Sequence, residues 1–270
     1  MKEYTRKHKY RRLNEMQYIT IGAFLTAAVL GICMIIFVLS KDTASTFSSS
    51  GNFALSSLPS DIEGIDLNQY PAELEELLSR NPETLDFVKS YPDRASLRTQ
   101  SIDLSKDITL GQPPLFLQWD TRWGWNYYGN DFIAIAGCGP ACLSMAYVYL
   151  TGDNEMNPRK MSEWAYNMGY YSSSGTKWSL WTEGVNILGL SGYELSLNES
   201  SMKKQLDRGG LIICSMSPGD FTTTGHIILI RGYDENGFYV NDPNSIKRSG
   251  MQWSYSTLQK QIKGMWGISK

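Results

Sequence analysis

From Tyr18 to Leu39 the chain runs without a single charged residue, which meets the roughly 20 residues an α-helix needs to cross a hydrocarbon layer of about 30 Å. A core helix of that length would keep a polar face, and this segment shows none. Lys2, Arg6, Lys7, Lys9, Arg11 and Arg12 precede the run, whereas only Lys41 follows it closely. The asymmetry predicts a cytoplasmic N-terminus and an exported remainder. The run is longer than the apolar region of a cleaved signal peptide and lacks a small-x-small site, so an uncleaved signal anchor is expected. The expected organisation is a basic tail over 1–17, a transmembrane anchor embedded in the lipid bilayer over 18–39 and a Ser-rich linker over 40–60. A helical prelude over 61–112 and a main domain over 113–270 complete it.

Six of the 25 basic residues and two of the 27 acidic ones lie in the tail, which leaves the exported part mildly acidic. No basic, aromatic-interleaved surface of the kind that binds nucleic acid is present in it. Of the four cysteines, Cys33 falls in the apolar run, and Cys138, Cys142 and Cys214 lie beyond it. None forms a CxxC pair or a Cys/His cluster with zinc-ligand spacing. Three exported cysteines leave at least one thiol unpaired within the monomer.

Between Tyr70 and Asp93 the pattern predicts two short amphipathic helices, opened by Pro71, interrupted at Asn81-Pro82 and ended by Pro92. Further helices are expected over 140–150, stopped by Gly152, over 158–168 and over 177–188. Another is capped by Ser200 or Ser201 and runs to Arg208. Leu211 to Ser215 and His226 to Tyr233 then read as apolar strands, and Gly237 to Asn241 answers the second across a turn at 234–237. Helices first and an antiparallel sheet afterwards define an α+β domain.

Ala136-Gly137-Cys138-Gly139-Pro140 sits where a loop enters a helix, and Pro140 is preorganised for the first helical turn. At a helix N-terminus the unpaired N–H groups and the dipole favour an anion, here a thiolate. The flanking glycines are expected to let a carbonyl approach the sulfur and to leave the Cys138 amide as an oxyanion donor. An inert thiol in a tight turn is the alternative. Cys142, one helical turn inward, and Cys214, within an apolar strand, read as core residues. Only His8 and His226 are available as an imidazole, and His8 lies across the expected membrane. His226, opening a strand after a polar loop, is therefore the candidate base. Asp242 ends the answering strand and is the candidate orienting acid, with neighbouring Asn241 as an alternative. Simple hairpin pairing sets Asp242 opposite about Leu229, so contact with His226 requires twist or a bulge.

Gly137-Cys138-Gly139-Pro140 before an apolar helix, Gly225-His226 opening a strand and Asn241-Asp242-Pro243 ending the next resemble the papain-fold peptidases related to the bacteriocin-processing, double-glycine leader peptidases. The likeness is closest to their stand-alone exported relatives and spans about 113–270. It implies a papain-like fold, a Cys138/His226/Asp242 triad and an upstream glutamine whose side chain joins the oxyanion hole. Gln118 matches that glutamine, although an aromatic insertion separates it from Cys138; Asn130, closer in sequence, is the other candidate. The insertion holds Trp119, Trp123, Trp125, Tyr127 and Tyr128, of which most are expected in the core and none is assigned to binding.

The resulting expectation is a membrane-anchored extracytoplasmic thiol hydrolase acting on a secreted peptide or a surface protein. Hydrolysis by a thiol and an imidazole requires no metal or organic cofactor. An endopeptidase or amidase acting on cell-wall stem peptides and a non-catalytic peptide-binding module are the competing readings. A transporter-linked leader peptidase is disfavoured, because the charge asymmetry sets the domain outside and the sequence lacks a Gly-x-x-x-x-Gly-Lys-[Ser/Thr] loop.

Overall fold

The computed structural model describes residues 69–270. The basic tail, the anchor, the linker and the start of the prelude lie outside the described residues. Among those described, no helix is long and apolar enough to cross a membrane.

The prelude folds as α1 (Ala72–Arg80), a 3-10 turn (Pro82–Thr84), α2 (Leu85–Lys89), a second 3-10 turn (Tyr91–Asp93) and α3 (Arg94–Leu97). Asn81 breaks the chain as expected, and its side chain accepts from Glu83 N to start the next turn. The second helix ends at Lys89, ahead of Pro92, and Pro92 then lies in the first turn of a new 3-10 element, where its missing N–H is harmless. Leu74, Leu78, Phe87 and Val88 are buried, each contributing about 1.5–3 kcal/mol relative to exposure. Their partner is the aromatic insertion: Phe87 stacks on Trp125 at 3.9 Å, and Trp125 Nε1 donates to Ser90 Oγ. Most insertion rings are thus core, with Trp123, Trp125 and Tyr128 inaccessible and Tyr127 exposed. Trp125, with the partly buried Trp119, packs the prelude against the main domain, whereas Trp123 and Tyr128 join the core that includes α5.

Two short strands, β1 (Tyr127–Tyr128) and β2 (Asp131–Phe132), lead through the single turn α4 (Ile133–Ala136) to α5 (Cys138–Thr151). Gly152 ends α5 in the left-handed conformation, φ 76°. There follow α6 (Pro158–Asn167), the tiny hairpin β3 (Tyr171–Ser172) and β4 (Gly175–Thr176), a 3-10 turn (Trp178–Trp181), α7 (Glu183–Ile187), β5 (Ser191–Glu194) and α8 (Glu199–Asp207). The helix expected over 177–188 is thereby split in two. The cap of α8 is Asn198, whose side chain accepts from Ser201 N, rather than either serine. Next come β6 (Leu211–Met216), β7 (His226–Asp234), β8 (Gly237–Asn241), α9 (Ile246–Ser249), β9 (Gln252–Trp253), α10 (Tyr255–Leu258) and β10 (Ile262–Ser269).

Six strands form one sheet in the order β5-β10-β6-β7-β8-β9, antiparallel at every pairing. The last strand in sequence thus lies inside the sheet, between β5 and β6. Because side chains alternate across a strand, β6 feeds both faces. Leu211 and Ile213 join the α5 side with Leu143 and Leu229. Ile212, Cys214 and Met216 join the opposite side with Met202 of α8 and Leu258 of α10. The α+β domain expected from the sequence is therefore a sheet with a helix layer on each face.

Candidate active site

Cys138 is the first residue of α5, with Gly137 at the cap position. The two glycines beside it are explained by packing. A Cβ at Gly137 would lie 2.5 Å from the Ile133 carbonyl oxygen, and one at Gly139 would lie 2.3 Å from Thr176 Oγ1. Both glycines thus allow close contact of the helix start with α4 and with β4.

His226 begins β7, opposite Met216. Its Nε2 is 2.7 Å from Asp242 Oδ1, which leaves Nδ1 as the ring nitrogen available to the Cys138 thiol, and His226 and Cys138 border the same cleft. The bulge anticipated between β7 and β8 is present. The register shifts between Ile230 and Gly232, so that Leu229 pairs with Asn241. Asp242 then falls in step with Ile228 instead of Leu229, and a one-residue slip reverses the side to which a side chain points. By this alternation the bulge brings Asp242 to the side of His226.

Asp242 is fully buried and multiply held. Its Oδ1 also accepts from Asn244 N at 2.8 Å, Arg248 Nε reaches Oδ2 at 2.5 Å, and its own N–H donates to Ser249 Oγ at 2.8 Å. Burial works against its ionised form, but the charges and hydrogen bonds of His226 and Arg248 prevail and lower its pKa below the ordinary carboxylate value. For His226, burial likewise opposes charging, whereas the Asp242 carboxylate and then the Cys138 thiol push the value up to about 10. The direction of this shift favours the charged form of the ring. Asn241, the alternative orienting group, is committed elsewhere: its Nδ2 donates to Pro114 O at 2.8 Å, and its Oδ1 accepts from Arg231 Nε at 2.9 Å.

Gln118 is buried and borders the cleft together with Cys138. Its Nε2 donates to Ala134 O at 2.7 Å and, more weakly, to Ile135 O at 3.3 Å. Two carbonyls on that side fix which end of the amide is nitrogen. Asn130 is exposed in the turn between β1 and β2, its N–H 3.4 Å from the Tyr171 hydroxyl, and it does not border the cleft. Cys142 is buried, with its Sγ facing Ile227 O, and Cys214 lies in the core on the far face of the sheet. Burial pushes both thiols up, away from the thiolate, and neither is in a disulfide.

A cleft extends from Cys138 in two directions. One arm, about 360 Å³, runs between α1 and the loop 219–225; the other, about 1000 Å³, runs along the β3–β4 hairpin and the end of β6. Ile135, Cys138, Gly225 and His226 border both. Two features of this site escaped the sequence reading: Arg248 behind the acid, and the prelude helix as a cleft wall. Nothing local marks either one, since both depend on contacts between distant segments.

An α+β fold with a thiol at the first position of a helix and an imidazole paired with a buried carboxylate on the sheet is of the papain-like class. The chain belongs to the Peptidase C39 like family, whose sequence pattern matches residues 112–270. Solved structures with partial similarity include the peptidase domain of Streptococcus ComA, described as a bi-functional ABC transporter involved in a quorum sensing pathway. That domain is 18% identical with a TM-score of 0.39, over 49% of this chain and 89% of that one. A protein described as a C39-like peptidase from Bacillus anthracis is 14% identical with a TM-score of 0.33, over 50% of this chain and 89% of that one. No curated protein matches the chain.

Proposed function

We propose that the protein is a membrane-anchored extracytoplasmic cysteine endopeptidase, with Cys138 as nucleophile, His226 as acid and base, and Asp242 as the residue that orients His226. The observation that carries this reading is the buried His226–Asp242 pair, with His226 and Cys138, the first residue of a helix, bordering the same two cavities. A cleft that continues in both directions accommodates peptide on either side of the scissile bond. The charge-free run of residues 18–39 and the basic tail before it support the anchor and the outward orientation.

In the reaction the Cys138 thiolate attacks an amide carbonyl carbon, and the carbonyl electrons move onto oxygen. The Cys138 N–H, at the first position of α5, is one donor for that oxyanion. Gln118 is the other, exchanging its long bond to Ile135 O for the substrate oxygen. Collapse of the tetrahedral species breaks the C–N bond as the His226 imidazolium delivers a proton to the leaving amine. Water, deprotonated by the now neutral His226, attacks the thioester, and the acid product leaves as the thiolate and imidazolium are restored.

Incubation of the full chain with mixed synthetic peptides and with cell-wall stem peptides, read by mass spectrometry, tests this reading. Cleavage of an internal peptide bond that Cys138→Ala abolishes is expected. Peptide retention without cleavage, equal in the native and Cys138→Ala proteins, would leave a binding module instead.

A further inference from the structure

We infer that Glu83, in the prelude that precedes the family-matched segment, is a positioning residue for the reacting pair: it secures the loop that carries Asp242 and Arg248 and so sets His226. What Cys138 and His226 do is taken from the reading above; the contacts stand apart from it.

The prelude grips four successive residues of that loop. Asn81 Nδ2 donates to Asn244 O at 2.6 Å. The Glu83 carboxylate accepts from Ser245 Oγ at 2.5 Å through Oε1, and from Ile246 N at 2.7 Å and Lys247 N at 3.3 Å through Oε2. These N–H groups open α9, where a helix has no internal partner for them and where an anion is favoured. Ser245, buried, is the joint: its Oγ also accepts from Arg248 N at 3.1 Å, and its carbonyl accepts from Ser249 Oγ at 2.7 Å. Arg248 and Ser249 are in turn the residues that hold the Asp242 carboxylate and its backbone N–H. Glu83 is itself fixed, since its N–H donates to Asn81 Oδ1 and the neighbouring Thr84 hydroxyl donates to Asn81 O. A continuous chain of polar contacts thus runs from the prelude to the imidazole.

The titratable groups that act on His226 are Asp242 on the loop and Cys138 from α5, with Arg248 behind Asp242, and Asp220, Glu73, Glu76 and Arg80 border the same cleft. Removing Glu83 leaves all of them in the protein but frees the loop that aligns Asp242. A looser carboxylate supports the imidazolium less, and the imidazolium in turn supports the thiolate less. Attack by Cys138 on an electrophile is then slowed.

The test is the rate of iodoacetamide alkylation of Cys138 against pH in the full chain, a readout that requires no substrate. In Glu83→Ala the acid limb is expected to move upward, with alkylation at pH 6 about three- to tenfold slower than in the native protein. Glu83→Gln, which keeps one acceptor oxygen, and Ser245→Ala, which removes the joint, are expected to shift in the same direction by less. Met202→Ala serves as a control for stability: it weakens the core on the far face of the sheet, lowers the melting temperature and leaves the limb in place. If Glu83→Ala does not fold, Glu83→Gln and Ser245→Ala decide. Folded Glu83 and Ser245 variants that follow the native pH profile, while His226→Ala does not, would overturn this inference alone. Native Cys138 reactivity indifferent to His226 would instead overturn the peptidase reading.

Discussion

Cys138 and Asp242 are the two residues that His226 has to serve, yet they are held in opposite ways. The cysteine is placed by backbone: it heads α5, and Gly137 and Gly139 allow α4 and β4 to press against the helix start. The acid lies on a loop beyond β8, and side chains from three stretches of sequence, at 81–83, 226 and 245–249, fix it. A nucleophile built into rigid backbone tolerates little change in shape. An acid held by a polar network is vulnerable to the loss of any one partner, because each removal leaves a buried polar group unpaired.

Replacing the shared imidazole separates the two supports most severely. His226→Ala is expected to lower peptide hydrolysis about ten-thousand-fold or more, measured as kcat. Asp242→Asn keeps the shape and removes the charge, and a fall in kcat of about a hundred- to ten-thousand-fold with little change in KM is expected. Gly139→Ala probes the other support: the new methyl meets Thr176, and a loss of about 1–3 kcal/mol in denaturant unfolding is expected, with activity falling alongside stability. An equal melting temperature for Gly139→Ala and native protein would refute the backbone half of the comparison.

The smallest expected effect lies in the pH dependence of stability. Asp242, with a lowered value, contributes fully above its unfolded value of about 3.8 and loses that contribution as pH falls through the folded one. His226, with a raised value, contributes fully below its unfolded value of about 6.5 and loses it as pH rises toward about 10. The melting-temperature gap between native protein and Asp242→Asn should therefore be widest near pH 5–6 and narrow toward both ends. A gap that widened steadily up to pH 10 would contradict the charged pair.

The same contrast explains what the sequence disclosed. The Cys138 helix, its Gly152 stop, the β7 and β8 strands and the roles of Cys142 and Cys214 as core residues all follow from local patterns of glycine, proline and apolar residues. Strand β10 escaped because Gly264 and Gly267 dilute its apolar alternation, and its place between β5 and β6 is set by long-range pairing. The need for a bulge before Asp242 was legible from pairing arithmetic; its position after Ile230 was not. Arg248 and Glu83 carry no local signature, since their importance arises only when the loop closes against the prelude.

The most direct measurement is alkylation of the full chain by iodoacetamide at pH 6, with mass-spectrometric assignment of each cysteine, in native protein and in His226→Ala. The account predicts selective modification of Cys138, markedly slower without His226, while Cys142 and Cys214 stay unmodified in the folded protein. Modification of Cys138 at the same rate in both proteins would contradict it.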